Sequence, residues 1–216
     1  TYLVTVGQGH QPTSKAGVVY LYDREACRAR MVAAVRSADG FAPLKAPKLN
    51  VALGGFVPAD HTFTWSDLNG NEAVDADEVA LKPKQIDVRG VNLFDHTLGL
   101  HSTNASLRWD VERFTDDGVP IYRETRLPAL SGIHHFKTFD GEYFRQGKGY
   151  DEATGVFTAD GQARWTYQTQ GSGVHALYKA PPMKPRHVVA MFSPVGHAIA
   201  EAGDLGEFFV ISSNTG

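Results

Sequence analysis

Short apolar or alternating runs, each closed by Gly, Pro, Asn or Asp, recur along the chain, whereas sustained 3.6-residue periodicity is scarce. This pattern predicts a mostly β protein. Strands are expected at Tyr2 to Val6, Val18 to Tyr22, Met31 to Val35, Asn50 to Leu53, Thr62 to Trp65, Gln85 to Val88, Leu98 to His101 and Leu107 to Phe114. Further strands are expected at Ile133 to Phe139, Tyr143 to Arg145, Gly155 to Thr158, Ala163 to Gln168, Val188 to Phe192 and Glu207 to Ile211. Asp-Gly pairs at Asp39-Gly40, Asp117-Gly118, Asp140-Gly141 and Asp160-Gly161 supply residues that tolerate positive φ, as tight hairpins demand. Helix is expected only over Asp23 to Ala29 and Asp75 to Ala80. Neither is long enough to carry the crossover of a parallel sheet, so pairing should be antiparallel. The stretch Ala180-Pro181-Pro182-Met183-Lys184-Pro185 reads as a rigid extended connector.

Trp65, Trp109 and Trp165 each fall in a predicted strand, and their separations of 44 and 56 residues resemble a four-stranded propeller blade with variable insertions. The expected fold is therefore all-β: a β-propeller or part of one, with antiparallel blades and few short helices. Residues 1–216 are expected to form a single propeller-like segment. The chain opens inside a strand-like run and stops in the turn Ser213-Asn214-Thr215-Gly216, as a fragment of a longer protein would. The rest of that protein, or other subunits, are then its first partners.

Composition narrows the functions. Lys and Arg number 21 against 24 Asp and Glu, a net charge of -3, so there is no basic field to hold a nucleic-acid backbone. No apolar run approaches the roughly 20 residues that span a bilayer as a helix, so neither nucleic acid nor a membrane span is expected. Cys27 is the single cysteine, which removes intrachain disulfides and all-cysteine metal sites. In its polar surroundings it reads as an inert small residue.

The most specific chemistry lies in Asp67-Leu68-Asn69-Gly70-Asn71-Glu72-Ala73-Val74-Asp75-Ala76-Asp77-Glu78. Taken as a twelve-residue loop over residues 67–78, it carries oxygen side chains at positions 1, 3, 5, 9 and 12, the ligand spacing of an EF-hand-type calcium loop. Calcium requires six to eight hard oxygen donors. Asp67, Asn69 and Asn71 would project inward, Ala73 would offer its main-chain carbonyl, and Glu78 would close the sphere. Asp75 would bind directly or through water, or cap the helical turn that follows. Position 6 holds Glu72 where Gly is usual, so a left-handed bend there carries strain unless Gly70 moves it. One such loop without long flanking helices suits a structural ion better than a sensor.

Three strings carry a family resemblance: Trp65 to Asn71 with Val74 to Val79, Asp116 to Tyr122, and Leu205 to Ile211. They resemble secreted bacterial β-propeller proteins of the NHL-like kind, in which a dockerin-like or EF-hand-like calcium loop interrupts a blade. The resemblance spans Trp65 to Gly216. It implies export to the periplasm or the exterior, a propeller fold and an association with polysaccharide, and it carries over no catalytic residue.

Other constellations are less specific. His134 and His135 are adjacent, and His96 and His101 lie five apart, but neither pair has HExxH or zinc-knuckle spacing. Adjacent strand residues point to opposite faces, so His134 and His135 do not ordinarily share one ion. With Tyr143 and Arg145 on the following strand, however, they supply a base, a phenol and a cation. Gly7-Gln8-Gly9-His10 lacks the third glycine of a dinucleotide fingerprint, and Ser131-Gly132 and Gly171-Ser172-Gly173 do not form a GxSxG elbow. Two functions follow. One is a calcium-stabilised propeller segment that binds a ligand or partner, carbohydrate among the candidates. The other is a polysaccharide lyase or hydrolase using His134, His135, Tyr143 and Arg145 at the propeller mouth.

Overall fold

A computed structural model describes residues 1–6, 16–84, 94–102, 107–127, 130, 134–146, 154–170, 187–189, 192–200 and 206–213. Gln85 to Val88, Gly7 to His10, Ser131-Gly132, Gly171 to Gly173 and the proline-rich connector lie outside the described residues, as do the side chains of His134 and His135. Strands dominate and almost all pairings are antiparallel, so the chain is all-β with few short helices. Two compact units divide it, Thr1–Arg126 and Leu127–Gly216.

The first unit is built on a five-stranded antiparallel meander of β1 (Tyr2–Val6), β2 (Ala16–Asp23), β3 (Arg28–Ser37), β4 (His61–Ser66) and β5 (Val79–Pro83). Its central strand explains the layering. Val32, Ala33, Ala34 and Val35 of β3 are all fully buried, because the sheet is covered on both faces. On one face, Val19, Val32, Ala33 and Val35 pack with Leu100, Leu107, Trp109, Val119 and Tyr122. These come from a three-stranded sheet of β6 (Leu100–His101), β7 (Leu107–Phe114) and β8 (Pro120–Arg126) and from the turn before β8. Ser66 Oγ donates to the Pro120 carbonyl at 2.8 Å and Thr62 Oγ1 to Glu124 Oε2 at 2.8 Å, which fastens β4 to β8.

On the other face, Ala16, Ala34, Phe63 and Trp65 are roofed by Ala38, Phe41 and Leu44 from the β3–β4 connection. Phe41 stacks on Phe63 with ring centroids 5.0 Å apart. This connection contains the helix α1 (Pro47–Ala52), where a strand was expected at Asn50 to Leu53. Four apolar positions cannot separate a strand from one face of a short helix. Pro47 sits at the start of the helix, Asn50 Nδ2 ties back to the Phe56 carbonyl at 2.9 Å, and Gly54 at φ +89° ends it. A second correction concerns Asp23 to Ala29, expected as helix: Asp23 ends β2, residues 24–27 form the tight turn and Arg28 and Ala29 open β3. Asp23 Oδ1 accepts from the main-chain N–H groups of Glu25 and Ala26, so the aspartate organises a turn rather than a helix start. Asp75 to Ala80 yields only a 3₁₀ turn, Ala76–Glu78.

In the second unit β9 (His134–Lys137), β10 (Tyr143–Gln146), β11 (Thr154–Phe157) and β12 (Ala163–Gln170) form an antiparallel meander, with β13 (His187–Val189) added parallel to β12. A separate hairpin pairs β14 (Phe192–Ala200) with β15 (Gly206–Ser213). The Asp-Gly pairs at Asp140 and Asp160 lie in the β9–β10 and β11–β12 turns, and Asp117-Gly118 lies between β7 and β8. All three turns share the pattern Thr-x-Asp-Gly, closed by a Gly N–H donated to the Thr carbonyl. Asp39-Gly40 differs, lying in a 3₁₀ turn. The tryptophans do not occupy equivalent environments: Trp65 and Trp109 are fully buried, whereas Trp165 is 43% exposed.

Candidate calcium loop

β4 delivers Asp67 to the start of the loop and β5 leads out of it, so loop residues 67–78 are a structured β4–β5 connection on a rigid sheet. Asp67 is 1% exposed. Its Oδ2 accepts from Arg30 Nη1 at 3.1 Å, while its Oδ1 is buried with no hydrogen-bond partner. A buried carboxylate oxygen with no partner is costly, and a cation is one way to satisfy it.

The chain then bends twice. Gly70 has φ +73° and Glu72 φ +61°, so the left-handed residue that this kind of loop needs at its sixth position is present. Glu72 holds that conformation with its carboxylate gripped by Arg28 Nη2 at 2.6 and 2.8 Å. Asn69 Oδ1 accepts from the Asn71 N–H and Asn71 Oδ1 from the Ala73 N–H, so the two amides set successive turns. Their Nδ2 groups both donate to Asp75 Oδ2, at 3.0 and 2.7 Å. These two bonds, Asn69 first, hold the Asp75 carboxyl below the usual carboxylate range.

Glu78 closes the loop from its far end. Its Oε1 accepts from the N–H groups of Leu68 and Asn69 at 2.7 and 3.0 Å, and its Oε2 accepts from Trp65 Nε1 at 3.1 Å. Asp67, Asn69, Asn71, Ala73, Asp75 and Glu78 therefore lie on one cross-linked loop. Among the described residues no group of three or more His, Cys, Asp or Glu side chains is gathered to hold a metal ion, so Asp67, Asp75 and Glu78 do not converge as a ready-made carboxylate site. Sequence reasoning missed the two arginines. Their signal was the alternation of Arg28 and Arg30 on a strand that pairs with β4.

The other candidates separate. In register, Arg145 pairs with His135, Gln146 with His134 and Tyr143 with Lys137. Tyr143 is buried in a cluster with Leu127, Leu130 and Phe157, and the Arg145 guanidinium lies 4.0 Å above the Phe157 ring. Both side chains thus serve the packing of their own sheet. His96 is exposed and His101 is buried. Cys27 is exposed in the β2–β3 turn, its Sγ 3.5 Å from the Arg24 carbonyl.

One buried polar cluster was not foreseen. Asp95 Oδ1 accepts from the N–H groups of Thr97 and Gly99 and from Thr97 Oγ1, while its Oδ2 receives Arg108 Nη2 at 2.6 Å. Arg108 Nε donates to Asp110 at 2.5 Å. Arg108 is fully buried, and the two carboxylates keep its guanidinium charged there against desolvation. No protein-family model, curated protein or solved structure matches this chain.

Proposed function

We propose that this protein is a calcium-stabilised, exported binding scaffold in which antiparallel meanders of the kind that build propeller blades carry loop residues 67–78 as a structural ion site. Asp67 carries the proposal: a carboxylate oxygen at the first loop position, buried and without a hydrogen-bond partner, beside a loop already bent at its sixth residue. Calcium would take Asp67, Asn69, Asn71, the Ala73 carbonyl and Glu78, with Asp75 direct or through water, and would bring positive charge to Asp75 where the two amides now bring only hydrogen bonds. The surface loop and its mixed amide and carboxylate donors suit the weaker affinities of extracellular modules, about 0.1 to 1 mM, which only calcium-rich compartments saturate.

Scaffold is favoured over enzyme because Tyr143 and Arg145 are engaged in packing. The propeller reading draws support from the two antiparallel meanders and from the tight Thr-x-Asp-Gly turns of the β7–β8, β9–β10 and β11–β12 connections. A ligand, carbohydrate among the candidates, would then meet loops held on rigid sheets.

Titration calorimetry of chelator-treated protein with calcium chloride tests the ion site. One calcium should bind, the melting temperature should rise with calcium concentration, and Asp67→Ala should remove both effects. A melting temperature unmoved by calcium or chelator, with no heat of binding, would leave residues 67–78 as a self-satisfied acidic turn.

A further inference from the structure

The cation loop shares its two arginines with a cleft. Along the β2–β3 hairpin lies a cavity of about 360 Å³ lined by Leu21, Tyr22, Asp23, Ala26, Arg28 and Arg30. Leu21, Tyr22 and Ala26 give it an apolar and aromatic wall. Asp23 directs Oδ1 at the N–H groups of Glu25 and Ala26, which fixes the wall and spends part of that carboxylate's charge on the turn. Two guanidinium groups line the cleft beside the Asp23 carboxylate, and each also reaches a loop acid: Arg28 to Glu72 and Arg30 to Asp67.

The two pairings differ. Arg28 meets both oxygens of Glu72 through one nitrogen, at 2.6 and 2.8 Å. Arg30 gives a single N–H to Asp67 Oδ2 at 3.1 Å, and its side chain is 25% exposed. Calcium on Asp67 Oδ1 would put a divalent charge on the very carboxylate that Arg30 holds. The ion and the guanidinium then compete for one anion and repel one another across it.

We propose that the cleft binds a small organic carboxylate with an apolar or ring-shaped body, and that calcium and this ligand bind cooperatively through Arg30. The proposal rests on the calcium site argued above. With calcium on Asp67, Arg30 turns its planar fork toward the cleft, where a carboxylate accepts two parallel N–H bonds and the body lies against the apolar part of the cleft lining. Conversely, a carboxylate that draws Arg30 away leaves both oxygens of Asp67 to the ion. Linkage makes the two effects equal: whatever factor the ligand adds to calcium affinity, calcium adds to ligand affinity.

The experiment is a reciprocal titration of the full chain with calcium chloride and benzoate, with benzamide as the neutral control. Saturating benzoate should tighten calcium about fivefold or more, and saturating calcium should tighten benzoate by the same factor. Benzamide should do neither. Arg30→Gln should tighten calcium by itself, since it removes a repelling charge, and should abolish benzoate binding and the coupling. Arg30→Lys, which keeps the charge without the fork, should keep the wild-type calcium affinity and weaken benzoate. Calcium binding that is indifferent to benzoate, or coupling that survives in Arg30→Gln, overturns the carboxylate site and leaves the calcium site standing. Failure to bind calcium with or without benzoate overturns both.

Discussion

Arg28 Nη2 sits 2.6 and 2.8 Å from the two carboxylate oxygens of Glu72, and Glu72 is the residue that takes φ +61° at the bend of the loop. A left-handed conformation costs a non-glycine residue roughly 1 to 2 kcal/mol, and an exposed ion pair returns at most about 1 kcal/mol of it. The strain is therefore partly offset by Arg28.

Replacing Glu72 separates the two contributions. Glu72→Gly loses the ion pair but releases the backbone strain, so urea-melt stability should change by less than about 1 kcal/mol, and calcium should still bind. Glu72→Val loses the ion pair and puts a β-branched residue where its side chain clashes with the main chain. It should cost about 2 kcal/mol and weaken calcium. Equal behaviour of the two variants would show that the bend does not depend on this residue.

Trp65 reports on the loop from inside the sheet. Its Nε1–H donates to Glu78 Oε2 at 3.1 Å, and calcium at the loop would claim the same carboxylate. The indole proton resonance of Trp65 should therefore shift on adding calcium, while that of Trp109, buried in the opposite cluster, should stay in place. Glu78→Gln keeps an acceptor for the indole but gives up the charge, so it should hold the apo resonance near its wild-type position and remove the calcium-induced shift.

Strands with an uninterrupted apolar or alternating run were legible in the sequence, at a sheet edge or inside it, and strands that carry a proline were not. Tyr2–Val6 and Leu107–Phe114 match their predicted limits, and the apolar core of β3 was found in Met31 to Val35. The strands missed are β5, β8 and, apart from Phe192, β14. β5 and β8 lie at the ends of their sheets, where Pro83, Pro120 and charged residues are tolerated because one side of the strand makes no ladder bonds. β14 carries Pro194 and Gly196 at an irregularity in its pairing, which breaks the period-2 pattern. At the candidate site the spacing of oxygen side chains along residues 67–78 was legible because it is local. The arginines that grip Asp67 and Glu72 were not, since those contacts span 37 and 44 residues.

The Asp95–Arg108 pair makes a harsher prediction. Both side chains are at most 1% exposed and joined at 2.6 Å, and removing one partner from a buried pair leaves a charge without compensation. Asp95→Ala should cost about 3 to 5 kcal/mol in a denaturant melt. Gly99 supports the same arrangement by staying small: a Cβ there would fall 1.9 Å from Arg108 Nη2. Gly99→Ala should thus destabilise nearly as much as Asp95→Ala. Because both act on one cluster, the double variant should cost less than the two singles combined.

Tyr122 gives the pH dependence. Its hydroxyl donates to the Leu98 carbonyl at 2.8 Å, and burial above all, with the nearby Asp95 charge next, pushes the phenol well above its ordinary value near 10. Between that ordinary value and the raised one, the unfolded chain has lost a proton that the folded chain keeps. The folded state binds more protons there, so stability contributed by Tyr122 is fully present below about pH 10 and falls as the pH rises further. Tyr122→Phe should cost about 1 kcal/mol at pH 7, where only the hydrogen bond is lost. From pH 9 to pH 11 the variant should lose less stability than the wild type, and the two denaturant midpoints should converge. Ultraviolet titration of the folded protein at 295 nm provides the independent check: Tyr122 should stay protonated until the chain unfolds, and a Tyr122 that titrates with exposed tyrosines near pH 10 would sink the assignment.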